Sequence, residues 1–476
     1  MTQEEQKKLK VIEAFPAKRF FVEMLTKDIE LLDAVLDLID NSLDGAMREI
    51  TRLKKNQQDR KYEGYQVEIT FDDTHFKIKD NCGGIPRDVA INSAFRMGRP
   101  STDIDKDLPT VGVYGIGMKR SIFKMGRSCK IISKTPDTTL HVDMTPEWMS
   151  NDQDWSLPYE EQAATPEDTG TEILINDLVS GIKHSFSGGP TFSNDLKEAT
   201  EVYYSSFIEQ GFKIVINTKT IKPNANVLAI EDNFASKDEA ISPFVYIDKV
   251  DGVDISVVIG FYRNFVSIEE EEKELQGTSS KASSSKAGIT VICNDRVVIH
   301  ADKTRMTGWG EAGVPSYHTQ FISITGIVKF QSTDPSKLPL TTTKRGIEGN
   351  SELYLKVKDR IREGIKTFTS FTNRWKSRDD KGQLSIQTGK SKNIAPTEVV
   401  TSIPEDKWVQ MRGEANAKKF VPNLPMPPKD STNRRITFTR PIEEIKTISE
   451  FYFETGSTSP QEVGERCFDE ALRRAK

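Results

Sequence analysis

The sequence has few cysteines, no long apolar run and no excess of either charge. Its four cysteines among 476 residues (Cys82, Cys129, Cys293 and Cys467) show no C-x-x-C spacing. A disulfide framework and a zinc site are therefore not expected, and we interpret the cysteines as reduced thiols. No apolar stretch approaches the roughly 18 to 20 residues of a membrane span, and the first residues lack a secretory apolar core. We expect a cytoplasmic protein without a membrane segment.

The charge balance is close to neutral. Lys and Arg total 66 and Asp and Glu total 71, which gives a net charge of −5. This excludes a globally basic nucleic-acid coat but permits local basic patches. One patch contains Arg52, Lys54, Lys55, Arg60 and Lys61, and residues 376–392 form another. DNA is therefore a candidate partner, although most charge runs are simply solvated faces.

The pattern of apolar residues predicts helices and strands in two successive regions. The length suggests about three domains. A long amphipathic helix is predicted over 28–57, and alternation predicts a β-hairpin over 65–71 and 75–79. A second β-rich region has strands at 254–262, 288–300 and 321–330 and a closing helix at 351–375. The charged and Ser-rich stretch 269–286 is predicted to be a mobile loop, and 421–428 to be a proline-rich linker before two short helices.

Two polar motifs lie in the first region. Asp37 and Asn41 stand four residues apart and therefore share one face of the predicted helix. Asp80 follows a predicted strand and precedes Gly83 and Gly84. Such a carboxylate can accept a hydrogen bond from an adenine amino group, and glycine lets a flat ring approach the backbone. Taken singly, each motif is also compatible with a solvated helix face or a turn.

A glycine-rich loop and a Gly-Thr pair complete the set. Gly112, Gly115 and Gly117 precede Met118 and Lys119 at a predicted helix start, where backbone N–H groups and the lysine can bind phosphates. A Walker A motif is excluded because Met118 occupies the lysine position, and G-x-G-x-x-G fails because residue 120 is Arg. Thr171 enters a predicted strand directly after Gly170.

The four motifs, in this order and spacing, resemble the GHKL family, the ATP-binding fold of gyrase-type topoisomerases, heat-shock chaperones, histidine kinases and MutL proteins. The resemblance covers roughly residues 20 to 220. It implies that ATP and Mg²⁺ are the cofactors, with Asn41 as the metal ligand. It also implies that Asp80 and Gly84 bind adenine, with Thr171 assisting through a water molecule. The lid around the triphosphate would comprise Gly112, Gly115, Gly117, Met118 and Lys119.

Two departures from the family pattern affect the expected chemistry. Hydrolysing members usually have Glu four residues before the Asn, as general base on the attacking water, and here Asp37 fills that place. Its stem is one methylene shorter, so hydrolysis is expected to be slow. The adenine motif is commonly D-x-G-x-G, whereas here the first glycine is displaced and Gly84 is retained.

The second region resembles the transducer domain of gyrase, MutL and Microrchidia (MORC) proteins. The resemblance is carried by Asn294-Asp-Arg296 before an apolar stretch, and by a loop that contains Lys344. In that group a loop lysine reaches the γ-phosphate, which makes Lys344 the candidate here; a plain surface lysine is the alternative. Gly308-Trp309-Gly310 and His318 are interpreted as a buried tryptophan and a satisfied histidine.

The expected fold is therefore α+β. A GHKL (Bergerat) α/β-sandwich ATPase domain with an N-terminal arm would span 1–225 and a transducer-like α/β domain 226–376. A linker region would follow at 377–440, and a helical C-terminal segment at 441–476. None of the five histidines precedes the Asn41 helix, which disfavours a histidine kinase. The C-terminal region shows neither an endonuclease metal motif nor a topoisomerase tyrosine domain.

The resemblance implies an ATPase that acts as a nucleotide-gated homodimeric clamp, closest to prokaryotic MORC-like or heat-shock-chaperone-like proteins. Some of these act on DNA or in defence against mobile elements. The competing interpretation is a non-catalytic nucleotide sensor, or a chaperone-like protein, that regulates a separate effector protein. A GHKL protein-serine kinase would fit the nucleotide motifs but not the transducer-like half.

Overall fold

The chain divides between Pro425 and Met426 into two compact units. The computed structural model describes residues 17–53, 60–96, 110–112, 115–152, 154–164, 168–263, 285–341, 344–375, 391–414, 416–427, 436 and 438–476. The predicted mobile loop at 269–286 lies almost wholly outside these residues. So does most of the basic stretch 376–392.

The first part of the larger unit is an eight-stranded sheet packed with helices. The sheet has the order β5-β4-β3-β6-β2-β1-β7-β8, and β1–β7 is its one parallel pair. Its elements are α1 Lys18–Lys27, α2 Leu31–Arg52, β1 Gln66–Phe71, β2 Phe76–Asp80, α3 Arg87–Val89, α4 Gly117–Met125, β3 Gly126–Lys134, β4 Thr138–Met144, α5 Pro146–Ser150, β5 Tyr159–Ala163, β6 Gly170–Leu178, α6 Ser180–Ser187, α7 Thr191–Tyr203, α8 Ser205–Glu209, β7 Lys213–Ile216 and β8 Lys219–Thr220.

The predicted hairpin is confirmed, and its turn has a local cause. The Oδ1 atom of Asp72 accepts N–H groups from Thr74 at 2.8 Å and His75 at 3.0 Å. This side-chain turn fixes the register in which Phe71 faces Phe76. As a result β2 ends at Asp80, beside β6.

Helix α2 is buried on more than its apolar face. Its apolar stripe, which includes Ile39 and Leu43, packs into the core of the first sheet. Asp37, Asp40 and Asp44 on its polar side are buried as well. Buried carboxylates require charged or hydrogen-bonding partners, so the polar side of α2 must be covered by another part of the protein.

The second part of the larger unit is a seven-stranded sheet with its own core. The sheet has the order β13-β12-β14-β11-β10-β17-β16, and the long helix α9 packs on it. Trp309 is buried in this core, as predicted. The elements are β9 Leu228–Glu231, β10 Phe244–Val250, β11 Val253–Phe261, β12 Gly288–Cys293, β13 Arg296–Asp302, β14 Ile324–Gln331, α9 Glu352–Trp375, β15 Ser391–Ile394, α10 Pro396–Ser402, β16 Val409–Gln410 and β17 Lys418–Phe420. A separate two-stranded sheet joins β9 and β15.

The prediction of one strand over 288–300 is wrong. The chain turns back at Asn294 and Asp295, whose φ angles are +46° and +65°, and β12 and β13 pair as an antiparallel hairpin. Asn and Asp are the residue types that tolerate this left-handed conformation best after glycine. The turn places Asn294 and Arg296 at the end of the hairpin.

The smaller unit contains two helices, α11 Ile442–Phe453 and α12 Pro460–Ala475, close to the predicted positions. Ser459 and Glu462 form a reciprocal capping box at the start of α12. Between the helices, the guanidinium of Arg466 lies 5.7 Å from the ring centre of Tyr452.

The α+β fold class is confirmed: an eight-stranded sheet packed with helices is followed by a second sheet region and by C-terminal helices. All four cysteines are free thiols. Among the helices that the structure describes, none combines the length and apolar character required to cross a bilayer.

Candidate functional site

One cavity of about 180 Å³ collects the predicted site residues. It lies along α2, beside the ends of β2 and β6 and the start of α4. Its walls include all eleven of them: Asp37, Asn41, Asp80, Gly84, Gly112, Gly115, Gly117, Met118, Lys119, Thr171 and Lys344. Ten belong to the first sheet region, and Lys344 comes from the second.

Asp80 forms one end of the cavity and is held by neutral donors. Its Oδ1 accepts N–H groups from Cys82 at 2.9 Å and Thr171 at 3.1 Å, and its Oδ2 accepts the Ser42 hydroxyl at 2.8 Å. Burial raises the pKa of Asp80, and these hydrogen bonds oppose the rise. Each carboxylate oxygen can accept more than one hydrogen bond, so Asp80 retains capacity for an amino group of a base.

Two details at this end differ from the sequence interpretation. Thr171 acts on Asp80 through its backbone N–H. Ser42, next to Asn41 on α2, was not singled out from the sequence. Gly84 has a φ of +73°, and a Cβ there would collide with the carbonyl of Lys134. Backbone packing alone therefore requires a glycine at position 84, whether or not a nucleotide ring lies against it.

Asp44 of α2 binds the N-terminal end of the glycine-rich loop. The two carboxylate oxygens accept N–H groups from Val111 at 2.6 Å and Gly112 at 2.8 Å. A Cβ on Gly112 would lie 2.5 Å from Asp44 Oδ2, so glycine allows this approach. Burial raises the pKa of Asp44 to about 6 despite the nearby Lys344 charge and the two N–H groups. The sequence signal for Asp44 was its seven-residue spacing from Asp37 on one helix face.

Lys119 and Met118 form the wall at the start of α4. The Lys119 ammonium donates to the carbonyl of Ala94 at 2.9 Å and to that of Gly115. Burial lowers its pKa to about 8. An ammonium has three donors, so one remains for a phosphate oxygen. Met118 is buried in the core of the first sheet and gives the cavity an apolar wall.

The opposite end of the cavity is charged. Asp37 Oδ2 accepts a hydrogen bond from Arg120 Nη2 at 2.6 Å, and Asp37 Oδ1 lies 3.4 Å from Lys344 Nζ. Lys344 Nζ also donates to Asp40 Oδ2 at 2.9 Å. The lysine is only 6% exposed, which excludes the alternative of a plain surface lysine.

Asp40 connects this end to the second sheet. Its Oδ1 accepts hydrogen bonds from Arg296 Nε at 3.0 Å and the Tyr204 hydroxyl at 2.8 Å. Burial alone would raise the pKa of Asp40, but Arg296 and Lys344 together hold it below its usual range. Asp40 and Asp37 raise the pKa of Lys344 in turn, against the effect of burial. Lys344 is therefore a charged group although it is buried.

The β12–β13 turn makes a further contact with the first region. Asn294 Nδ2 lies 3.3 Å from the carbonyl of Thr110, at the end of the glycine-rich loop, and 3.1 Å from that of Ser332. Near the rim, Arg345 Nη1 donates to Asp33 at 2.7 Å. The second sheet therefore contacts both α2 and the loop.

Asn41 fits the proposed Mg²⁺ role. Its side chain is exposed while the residues that follow it on α2 are buried, and it lines the cavity. Within the described ranges, no group of three or more His, Cys, Asp or Glu side chains could hold a metal. Mg²⁺ commonly takes one or two protein oxygens and completes its shell with phosphates and water. An amide oxygen in the wall of this cavity is compatible with that pattern.

Comparison with known proteins identifies the first region. No curated protein matches the sequence. Residues 29–176 match the model of a family described as histidine kinase-, DNA gyrase B-, and HSP90-like ATPase. These residues contain α2, Asp80 with Gly83 and Gly84, the glycine-rich loop and Thr171, which are the motifs that carry the resemblance to the GHKL family. Residues 29–176 therefore form an ATP-binding domain of the GHKL ATPase superfamily.

Proposed function

We propose that the protein is a Mg²⁺-dependent ATPase that works as a nucleotide-gated dimeric clamp. One observation carries the proposal: Lys344 of the second sheet region lies in the cavity of the ATPase domain, 2.9 Å from Asp40 and 3.4 Å from Asp37. A cation that reaches the phosphate end from another domain links the nucleotide to the arrangement of that domain. The proposal includes a transducer-like role for the second sheet. It also includes the division of the chain into an ATPase domain at 1–225, a transducer-like domain at 226–376, a linker region at 377–440 and a helical segment at 441–476.

The residues divide the work along the cavity. Asp80, supported by Ser42 and the Thr171 N–H, accepts the amino group of adenine. Lys119 binds phosphate oxygens together with N–H groups of the loop other than those of Val111 and Gly112, which donate to Asp44. Asn41 would hold Mg²⁺, which would neutralise charge on the phosphates. Asp37 accepts a proton from the attacking water, and Lys344 stabilises the negative charge that develops on the terminal phosphate.

The test of catalysis is a steady-state phosphate-release assay with Mg²⁺ and ATP. We expect slow turnover in the wild type, loss of turnover with retained binding in Asp37→Ala, and loss of binding in Asn41→Ala. Equal turnover in the wild type and Asp37→Ala would remove Asp37 from its role. Wild-type protein that does not bind ATP would contradict the proposed function itself.

The dimeric clamp is carried over from the resemblance and has its own test. Light scattering or sedimentation should show a larger dimer fraction with a non-hydrolysable ATP analogue than with ADP. An unchanged fraction over a wide concentration range would remove the clamp and leave a monomeric ATPase.

A cytoplasmic location and a MORC-like role in defence against mobile elements belong to the proposal, with DNA as a candidate client. The support for DNA is the two basic patches. In the part that the structure describes, however, Arg52 pairs with Glu49 at 2.6 Å and Arg60 with Glu63 at 3.4 Å. Lys54 and Lys55 lie outside the described residues. A salt-dependent shift on duplex DNA would support this client, and no shift at low salt would exclude it.

A non-catalytic sensor that regulates a separate effector, or a chaperone-like protein, is the second candidate function. The observation in its favour is that Asp37, already one methylene shorter than the usual Glu, is held by Arg120 and Lys344. ATP binding without Mg²⁺-dependent turnover in the assay above would favour this candidate over the ATPase.

A further inference from the structure

Arg120 is the residue that breaks the G-x-G-x-x-G pattern, and the structure places it beside the expected base. It lies on α4, is 6% exposed and lines the cavity. Its Nη2 donates to Asp37 Oδ2 at 2.6 Å. Both side chains of this ion pair are almost fully buried. The contact joins α4, which follows the glycine-rich loop, to α2, which carries Asp37 and Asn41.

Asp37 is confined from a second direction by the start of α4. A Cβ on Gly117 would lie 3.1 Å from Asp37 Oδ2, so the carboxylate rests directly against the helix. With Oδ2 bound to Arg120, Oδ1 is the oxygen that lies toward Lys344, at 3.4 Å. The two oxygens of Asp37 therefore have different surroundings.

Arg120 also retains donor capacity. Its Nε is buried and has no hydrogen-bond partner among the described residues. Buried donors in folded proteins are rarely left unpaired, because each unpaired group is costly. The Nε–H group of Arg120 is therefore available to a water molecule or to a ligand in the cavity.

We propose that Arg120 is a positioning residue for Asp37. The guanidinium fixes Oδ2 and leaves Oδ1 to accept the proton, which compensates for the stem that is one methylene shorter than that of Glu. In the step that this serves, the water oxygen bonds to the γ-phosphorus and its proton passes to Oδ1. The bond from that phosphorus to the β–γ bridging oxygen breaks, and ADP leaves. The inference rests on the proposed function, in which Asp37 is the base.

The experiment compares Arg120→Gln, Arg120→Lys and the wild type by single-turnover hydrolysis and by affinity for a non-hydrolysable analogue. Loss of the charged donor to Oδ2 should lower the hydrolysis rate by about 100-fold in Arg120→Gln, and its replacement by a shorter ammonium should lower the rate by about 10-fold in Arg120→Lys. Affinity should stay within about threefold. Arg127→Gln, which removes an exposed arginine just beyond the same helix, is the matched control and should behave like the wild type.

Two further variants separate positioning from a structural role. In an Asp37→Ala background, Arg120→Gln should not lower the small residual single-turnover rate any further, because the group that it positions is absent. Adding Asp37→Glu to Arg120→Gln should raise the hydrolysis rate about tenfold, since the longer side chain of Glu can reach the attacking water without the hydrogen bond from Arg120. Merely structural damage would lower the rate by the same factor in both backgrounds and would not be rescued.

The outcomes distinguish the inference from the function beneath it. Wild-type turnover that depends on Asp37 but is unchanged in Arg120→Gln would overturn the role of Arg120 alone. An equal effect of Arg120→Gln in both backgrounds, or loss of analogue binding in both Arg120 variants, would do the same. Wild-type protein without turnover above that of Asp37→Ala would overturn the proposed ATPase and this inference together.

Discussion

The two ends of the cavity are built in different ways. At the Asp80 end, the carboxylate is held by two backbone N–H groups and one hydroxyl, all within the ATPase domain. At the Asp37 end, carboxylates of α2 meet Arg120, Arg296 and Lys344 in a buried network. Two of these three cations come from the second sheet region, beyond the matched residues 29–176.

Under the proposed function, the difference predicts that ATP binding and hydrolysis depend on different ends of the cavity. The end that would bind adenine is formed by one domain, so its geometry does not depend on the position of the second sheet region. A phosphate end that includes Lys344 is complete only when the second sheet is in place. We therefore expect changes at the Asp80 end to alter affinity, and changes at the Asp37 end to alter domain coupling and rate.

The largest expected effect is on stability, from removal of Arg296. Arg296→Met leaves Asp40 buried with one cation fewer, and should lower the free energy of unfolding by about 3 kcal/mol. Lys249→Met is the control, because its ion pair with Asp254 is exposed on both sides and should contribute under about 1 kcal/mol. Urea denaturation measures both. Equal losses of unfolding free energy in the two variants would mean that the buried Arg296–Asp40 pair contributes no more to stability than an exposed ion pair.

Next in size is the effect of Asp80→Asn on affinity. The substitution keeps the shape but removes the charge that accepts the amino group, and it sets an amide against the N–H groups of Cys82 and Thr171. ATP affinity should fall by about 100-fold, as measured by calorimetry. Asp73→Asn, in the exposed β1–β2 turn, should not change it. An unaltered affinity in Asp80→Asn would show that this end does not bind the base.

A smaller effect should follow from the titration of Lys119. Burial lowers its pKa to about 8, so the amine is charged below that pH and neutral above it. An anionic phosphate favours the charged form, and ATP affinity should therefore fall by up to about tenfold between about pH 7 and about pH 9.5. Lys119→Met should weaken binding and flatten this pH dependence. A wild-type profile as flat as that of the variant would assign the phosphate contact to other groups.

The smallest effect is expected for Arg345→Met. Arg345 is adjacent to Lys344 in sequence but pairs with Asp33 near the rim, where its side chain is 32% exposed. Affinity and hydrolysis rate should stay within about threefold of the wild type. A loss of rate comparable to that from removing Lys344 would mean that the second domain acts through general positive charge.

The sequence predicts most residues of the candidate site because they lie in short motifs, and the structure brings these residues into one cavity. Asp37 and Asn41 share a face of a single helix, and the Gly-rich loop precedes a helix start, so local spacing was sufficient. The same reasoning identified Lys344 only through resemblance. Its approach to Asp37 depends on how two sheets pack, across roughly three hundred intervening residues.

The missed features have physical explanations. Arg120 was visible only as a residue that broke a motif, since its partner lies on another helix. Asp40 stands between Asp37 and Asp44 on α2, and an acidic helix face is as often solvated as buried. The apolar residues on both sides of Asn294 and Asp295 predict one continuous strand, whereas β12 and β13 form a hairpin. The Asn-Asp pair is the turn signal that the strand prediction did not take into account.

The most direct test of the account is a paired measurement on Lys344→Met. ATP-analogue affinity and the single-turnover hydrolysis rate should be determined for this variant, the wild type and Lys337→Met, which removes an exposed lysine from the same region. The account predicts affinity within about threefold of the wild type and a rate lowered by about 100-fold or more. An unchanged rate, or an affinity that falls as far as the rate, would contradict the division of the cavity into a binding end and a catalytic end completed by the second sheet.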